Sequence, residues 1–166
     1  MTRLISFLAH AVYMGTPLLF GTVGEIQNEK AGHLNLGVEG TMAMGACAGF
    51  MVAYKRGSLW LSILAAFLMG ALVSLIYAFL TITMMANQNV TGLTLTIFGT
   101  GLSNFIGEQM ISASPTGNLK LPDGVMSSLK NIDIPLLSKI PVLGEVLFSQ
   151  NIFTYLSIVI AVIMFI

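Results

Sequence analysis

Residues 58–86 form one long apolar run, and that run constrains the fold more than any other feature of the chain. As a helix it would measure roughly 43 Å at 1.5 Å per residue. A bilayer hydrocarbon core is roughly 30 Å thick, so such a helix must tilt or protrude. Four more apolar stretches flank it, at about residues 4–23, 37–54, 90–110 and 151–166. Each is on the scale of the roughly 20 residues that cross a bilayer as a helix. Composition agrees, because only 8% of the residues are charged, against about 25% in an average soluble domain. The chain therefore reads as all-α: a polytopic transmembrane helix bundle of about five helical segments, forming a single membrane domain over residues 1–166.

Charge excludes several function classes. Seven basic residues balance seven acidic ones, so no net field draws nucleic acid to the chain. Cys47 is the sole cysteine, which rules out an intrachain disulfide and any thiolate metal set. His10 and His33 stand far apart with no close ligand partner, and no cofactor is implied. Met42, Met44 and Met51 read as packing or lipid-facing residues rather than a copper site. Arg3 followed by an apolar stretch resembles a signal peptide, but His10 interrupts it and residues 25–30 offer no small-residue cleavage site.

The polar insert at residues 111–150 holds Pro115, Pro122, Pro135 and Pro141, which break any continuous helix. Within it, residues 134–148 are mostly apolar apart from Lys139 and Glu145, and suit short segments lying against the membrane surface. The final stretch ends at Ile166 with no charged residue, Trp or Tyr to close it. A carboxylate there would be buried in hydrocarbon, so the sequence is expected to be truncated at its C-terminus.

Helix contacts in lipid rely on small residues and close packing. In the third stretch Ser62, Ala66, Gly70, Ser74 and Ala78 recur every four residues, a slowly winding stripe that predicts a contact face. The second stretch carries Gly37, Gly40, Gly45 and Gly49, the last two in G-x-x-x-G spacing. It also holds Glu39, with Asn35 just before it, both costly in hydrocarbon unless they face protein or water. Gly37-Val-Glu-Gly40 makes a poor helix centre. A helix broken by a glycine-rich segment fits better, and such backbone is tolerated only where protein or a cavity shelters it. Asn35 and Glu39 are thus candidates for a solute pathway. Their structural alternatives are a side-chain cap for Asn35 and a helix N-terminal carboxylate for Glu39.

Taken together, these blocks resemble the permease subunits of bacterial ABC importers in the branched-chain amino acid, ribose and nucleoside group. The clearest match runs through Glu29-Lys-Ala-Gly-His-Leu-Asn-Leu-Gly-Val-Glu-Gly40, which is similar to the family's E-[RK]-x-G loop leading into N-[IL]-G-[VL]-E-G. Gly15-Thr-Pro-Leu-Leu-Phe20 and the run Asn87-Gln-Asn-Val-Thr-Gly92 extend it. Ile134-Pro-Leu-Leu-Ser-Lys-Ile-Pro-Val-Leu-Gly144 resembles the external segment of nucleoside-type members. Family members run to roughly twice this length, so the resemblance implies an N-terminal half lacking the cytoplasmic loop that docks on the ATPase. No Walker A pattern is present.

The resemblance implies a transport subunit rather than an enzyme, moving a nucleoside or simple sugar, less readily a branched-chain amino acid, across a bacterial cytoplasmic membrane. It implies a separate ABC ATPase, a second permease subunit (identical or not) and an extracytoplasmic substrate-binding protein as partners, with no role for nucleic acid. Such solutes need hydroxyl partners, and Thr96 and Thr100 share one face of the fourth stretch. The alternative is that they bond back to their own helix. Analogy also places insert 111–150 and the N-terminus outside, with residues 25–33 and 87–89 inside. Charge bias opposes that orientation, since it leaves only Lys30 inside. A non-transporting membrane scaffold is the competing class; it would explain the small-residue stripe without a broken helix.

Overall fold

The computed structural model describes residues 2–114, 117–133, 146 and 148–165. They form two compact units, Asn28–Ser128 and the pair Met1–Gln27 with Leu129–Ile166. Helix α1, Thr2–Lys30, runs past the expected boundary at Val23, because residues 25–30 are mostly good helix formers despite their polarity. It stops where Gly32 adopts a φ of +85°. There the Gly32 N–H donates to the Glu29 carbonyl at 2.9 Å and the His33 N–H to that of Asn28 at 3.1 Å, closing the last turn as a left-handed glycine does.

In the Asn28–Ser128 unit three helices run back and forth. Helix α2 spans Val38–Arg56. Helix α3 spans Leu59–Ala78 and continues as a π-helical turn over Phe79–Thr83. Helix α4 spans Gln88–Ala113. Between α2 and α3 two residues suffice: Gly57 turns left-handed at φ 63° and donates to Ala53, and extended Ser58 starts the return. So short a link makes neighbouring helices antiparallel.

The seam between α2 and α3 is built from small residues. Ser62 Oγ donates to the Gly49 carbonyl at 2.6 Å. A Cβ on Gly49 would lie 3.1 Å from that of Ala66, and one on Gly45 3.2 Å from the Ala66 carbonyl oxygen. The rest of the predicted stripe leaves this seam. Each four-residue step overshoots a full turn by about 40°, so three steps swing the stripe about 120° around the helix. A Cβ at Gly70 would meet nothing within 4 Å, Ser74 is exposed and Ala78 half-buried. Val73 and Tyr77 take over the buried face, packed with Leu95, Met44 and Met69.

Helix α3 ends at Thr83 rather than near residue 86. Thr81 Oγ1 bonds back to the Tyr77 carbonyl at 2.8 Å, the Met84 N–H reaches Phe79, and Met85 takes a φ of 52°. Asn87 caps the fourth stretch: its Oδ1 accepts the Val90 N–H at 3.1 Å. The outward side chains of α3 are large and apolar, with Trp60 81% exposed and Phe67 and Leu75 each 70%. Among the described residues two helices, Arg3–Lys30 and Leu59–Thr83, are long and apolar enough to cross a membrane.

Part of the insert is ordered into short elements. Helix α5, Asp123–Ser128, buries Val125. Strands β1, Ile132–Asp133, and β2, Ser149–Gln150, pair antiparallel with Ile132 opposite Gln150. The apolar segment 134–148 lies outside the described residues except at Val146 and Phe148. Helix α6, Ile152–Phe165, follows Asn151, whose Oδ1 accepts the Phe153 N–H at 3.0 Å. It meets α1 where Thr16 and Thr154 pair their buried hydroxyls at 2.9 Å. Crowding the seam should be costly and crowding the open position should not. Gly49→Val is expected to destabilise the protein by about 1–3 kcal/mol, whereas Gly70→Leu should leave the detergent-solubilised Tm nearly unchanged; thermal unfolding of both variants checks this.

Candidate solute-pathway site

Residues 33–37, between α1 and α2, leave helical geometry altogether. Such backbone must find partners for groups that a helix would pair internally. Side chains of α3 and α4 supply them. The Leu34 N–H donates to Gln88 Oε1 at 2.8 Å, and the Leu34 carbonyl accepts from Tyr77 Oη at 2.6 Å. The Leu36 carbonyl accepts from Thr96 Oγ1 at 2.8 Å. Asn35 Oδ1 takes the Gly37 N–H at 2.8 Å, and the Gly37 carbonyl accepts both the N–H and the hydroxyl of Thr41 at 3.0 Å. Since Gln88 Oε1 is committed to Leu34, its Nε2 is the donor to His33 Nδ1, 3.1 Å away.

Glycines let the helices close on this connector. A Cβ on Gly92 would stand 2.7 Å from the Leu36 nitrogen, and one on Gly99 2.6 Å from the Gly40 carbonyl oxygen. From the other side, a Cβ on Gly40 would lie 2.6 Å from Thr96 Cα and collide with the Leu95 carbonyl. Thus α2 and α4 touch backbone to backbone at their crossing. The result is a helix N-terminus held beside a second helix, with Glu39 exposed in its first turn and without a partner among the described residues. A carboxylate there is favoured by the unpaired N–H groups of that turn.

The four candidate pathway residues thus fall at or beside one place, but their polar atoms are differently engaged. Asn35 and Thr96 brace the connector, and Thr100 bonds back to the Thr96 carbonyl at 2.7 Å. Glu39 alone keeps its charged end available. Beside the π-helical turn, Leu80, Val90, Thr91, Thr94, Leu95 and Phe98 line a cavity of about 270 Å³. Tyr77, Gln88 and Gly99 were not singled out from sequence. For the glycines a signal existed: Gly92 and Gly99 are seven apart, close to two full turns, and so share a face.

Helices long and apolar enough to cross a membrane, together with a non-helical connector braced by side chains of α3 and α4, mark a membrane-embedded helical protein of the channel and transporter type. The comparisons with known proteins narrow this. The family model described as the permease component of the branched-chain amino acid transport system matches residues 7–166, and the chain belongs to that family. A protein of Haloferax volcanii, provisionally named a glucose ABC transporter permease protein, is 35% identical over 147 residues, covering 89% of this chain and 43% of that relative. A nucleoside ABC transporter permease protein of Lactococcus lactis is 32% identical over 162 residues, 93% of this chain and 49% of its own length. A guanosine ABC transporter permease protein of Bacillus subtilis is 31% identical over 159 residues, 92% of this chain and 48% of its own. The chain therefore spans about half the length of the curated relatives it matches. No solved structure matches it.

Removing a brace should loosen the connector without unfolding the bundle. Tyr77→Phe leaves the Leu34 carbonyl without that donor and is expected to cost about 1–3 kcal/mol. Amide hydrogen exchange at residues 34–37 should accelerate while exchange in the middle of α3 stays unchanged. Gly99→Leu, which forces the helices apart, should abolish the folded protein in detergent by gel filtration.

Proposed function

We propose that this chain is part of a permease subunit of an ABC importer that passes a nucleoside or simple sugar, less readily a branched-chain amino acid, across the cytoplasmic membrane of a bacterium. The side-chain-braced connector at residues 33–37 carries the reading. Backbone of that kind is sustained at membrane depth where it is buried in protein or lines a water-filled path, and here every brace comes from another part of the same unit. The names of the relatives support the cargo class, since two are named for nucleoside or guanosine transport and one for glucose.

On this reading a separate ATPase subunit supplies the energy, a second permease subunit completes the path, and an extracytoplasmic binding protein delivers the solute. The insert 111–150 faces outward, and the connector with residues 87–89 faces the cytoplasm. The arrangement of the Asn28–Ser128 unit supports this sidedness: His33 and Gln88 are hydrogen-bonded at one end, while Gly57 stands beside Pro122 at the other. Glu39, Asn35, Thr96 and Thr100 form the pathway-side lining and its braces, with Glu39 meeting the solute or its water.

Uptake of radiolabelled guanosine, uridine and glucose by cells carrying the intact operon tests the reading. Uptake of at least one should require the permease gene, and Glu39→Gln should lower its rate about tenfold while the protein still reaches the membrane. Uptake at the wild-type rate in Glu39→Gln would remove that carboxylate from the mechanism. No gene-dependent uptake of any of the three would sink the proposed cargo.

A further inference from the structure

Away from the connector, in the unit formed by Met1–Gln27 and Leu129–Ile166, α1 carries a polar face that packing does not explain. Ser6, Ala9, His10 and Tyr13 fall within an arc of about 100°, and together with Asn131, Gln150 and the β2 backbone they line a cavity of about 380 Å³. That volume lies within the range of sites for small molecules, roughly 300–1,000 Å³. Polar side chains on a membrane-spanning helix are retained where they face protein or a watery cavity, and this face does so.

The hydrogen bonding of the lining groups is one-sided. Gln150 is only 2% exposed, and its Nε2 is spent on the carbonyls of Ala9 at 3.1 Å and Val146 at 2.8 Å. Its Oε1 has no partner among the described residues. His10 Nδ1 lies 3.1 Å from the Ser6 carbonyl; a carbonyl only accepts, so Nδ1 carries a proton, and in that tautomer Nε2 is an acceptor. Asn131 Nδ2 donates to the Ser149 carbonyl at 3.1 Å, leaving Oδ1. The hydroxyls of Ser6 and Tyr13 have no partner among the described residues. Among the described residues the lining therefore offers three acceptors, two hydroxyls and one phenol ring, and no Asp, Glu, Lys or Arg.

We propose that this cavity is a second binding site, a reception subsite for an uncharged, hydroxyl-rich solute such as a nucleoside or a monosaccharide. A ligand rich in O–H and N–H donors satisfies Gln150 Oε1, His10 Nε2 and Asn131 Oδ1 together, and a sugar or base face packs on the Tyr13 ring. Among the described lining residues an anion finds no Lys or Arg to balance it, and a cation finds no carboxylate. The proposal rests on the permease reading for its solute class, not for its location. A glycolipid head group shares the same chemistry, and the test separates the two sources.

The experiment is equilibrium binding of tritiated guanosine and glucose to the intact permease in nanodiscs of phosphatidylcholine, without ATP or binding protein. Guanosine monophosphate serves as the charged control. Wild type should bind at least one neutral probe. Ser6→Trp and Ala9→Phe, which fill the cavity, should weaken that binding at least tenfold with unchanged gel-filtration profiles. Tyr13→Phe, which removes one hydroxyl, should weaken it about three- to tenfold. Wild-type affinity in both cavity-filling variants would overturn the subsite, as would equal affinity for guanosine and its monophosphate, or no binding of either neutral probe. Displacement by monoglucosyl diacylglycerol without binding of any free solute would assign the cavity to lipid and overturn the proposal. Failure is separable from failure of the cargo reading: gene-dependent uptake with unchanged binding in Ser6→Trp removes only the subsite.

Discussion

Inside a bilayer there is no water to pair a backbone N–H or C=O, and each group left bare costs several kcal/mol, so a chain that interrupts its helices must supply partners from its own side chains. Residues 33–37 interrupt the helices in this way, and much of the Asn28–Ser128 unit is arranged around pairing their backbone groups. Tyr77 and Gln88 serve the two backbone groups of Leu34, and Thr96 serves the carbonyl of Leu36. These three side chains come from α3, the first residue of α4 and the third turn of α4. Their simultaneous reach fixes where the two helices stand. The glycines then follow as a steric condition, since Thr96 can reach Leu36 only if nothing larger than hydrogen separates α2 from α4.

The constraint also explains the irregular end of α3. A regular helix continuing through residue 86 would carry the chain onward without a turn, whereas the π-helical stretch and the positive φ of Met85 redirect it into Asn87. Gln88 then begins a helix at the level of Leu34. A single-turn π segment is a known device for re-aiming side chains within a helix. Here Tyr77 lies just before it and Thr81 within it.

Much of this was legible in the sequence, though unevenly. Apolar length gave the helices, because hydrocarbon thickness is a strong and local criterion; each of the five stretches is a helix, with ends shifted by a few residues. Boundaries failed where polar residues remain good helix formers, as at residues 25–30, and where a side-chain cap outweighs composition, as at Asn87. The glycine-rich run 37–40 pointed to an irregular segment, but only Gly37 lies outside the helix: Val38, Glu39 and Gly40 form the first turn of α2, and the non-helical backbone lies just before them, at residues 33–37. What braces that connector was hidden, since Tyr77 and Gln88 are far from it in sequence and neither is unusual in its own stretch. Of the small-residue stripe of α3, Ser62 and Ala66 lie against α2 and Gly70 and Ser74 do not, because an i+4 line and a contact line diverge on a helix of 3.6 residues per turn.

Direct backbone contact between α2 and α4 has a mechanical meaning. Where two helices meet through side chains, rotamer changes let them slide or roll by small amounts. At Gly40 and Gly99 no rotamers exist and the facing backbone leaves no room for a Cβ, while Gly92 closes in the same way on the connector at Leu36 and Gly37. The pair behaves as a welded joint. Whatever cycle of shapes the protein passes through, α2 and α4 travel together as one lever, and the compliance must reside where side chains separate the helices or where the chain already departs from regular geometry.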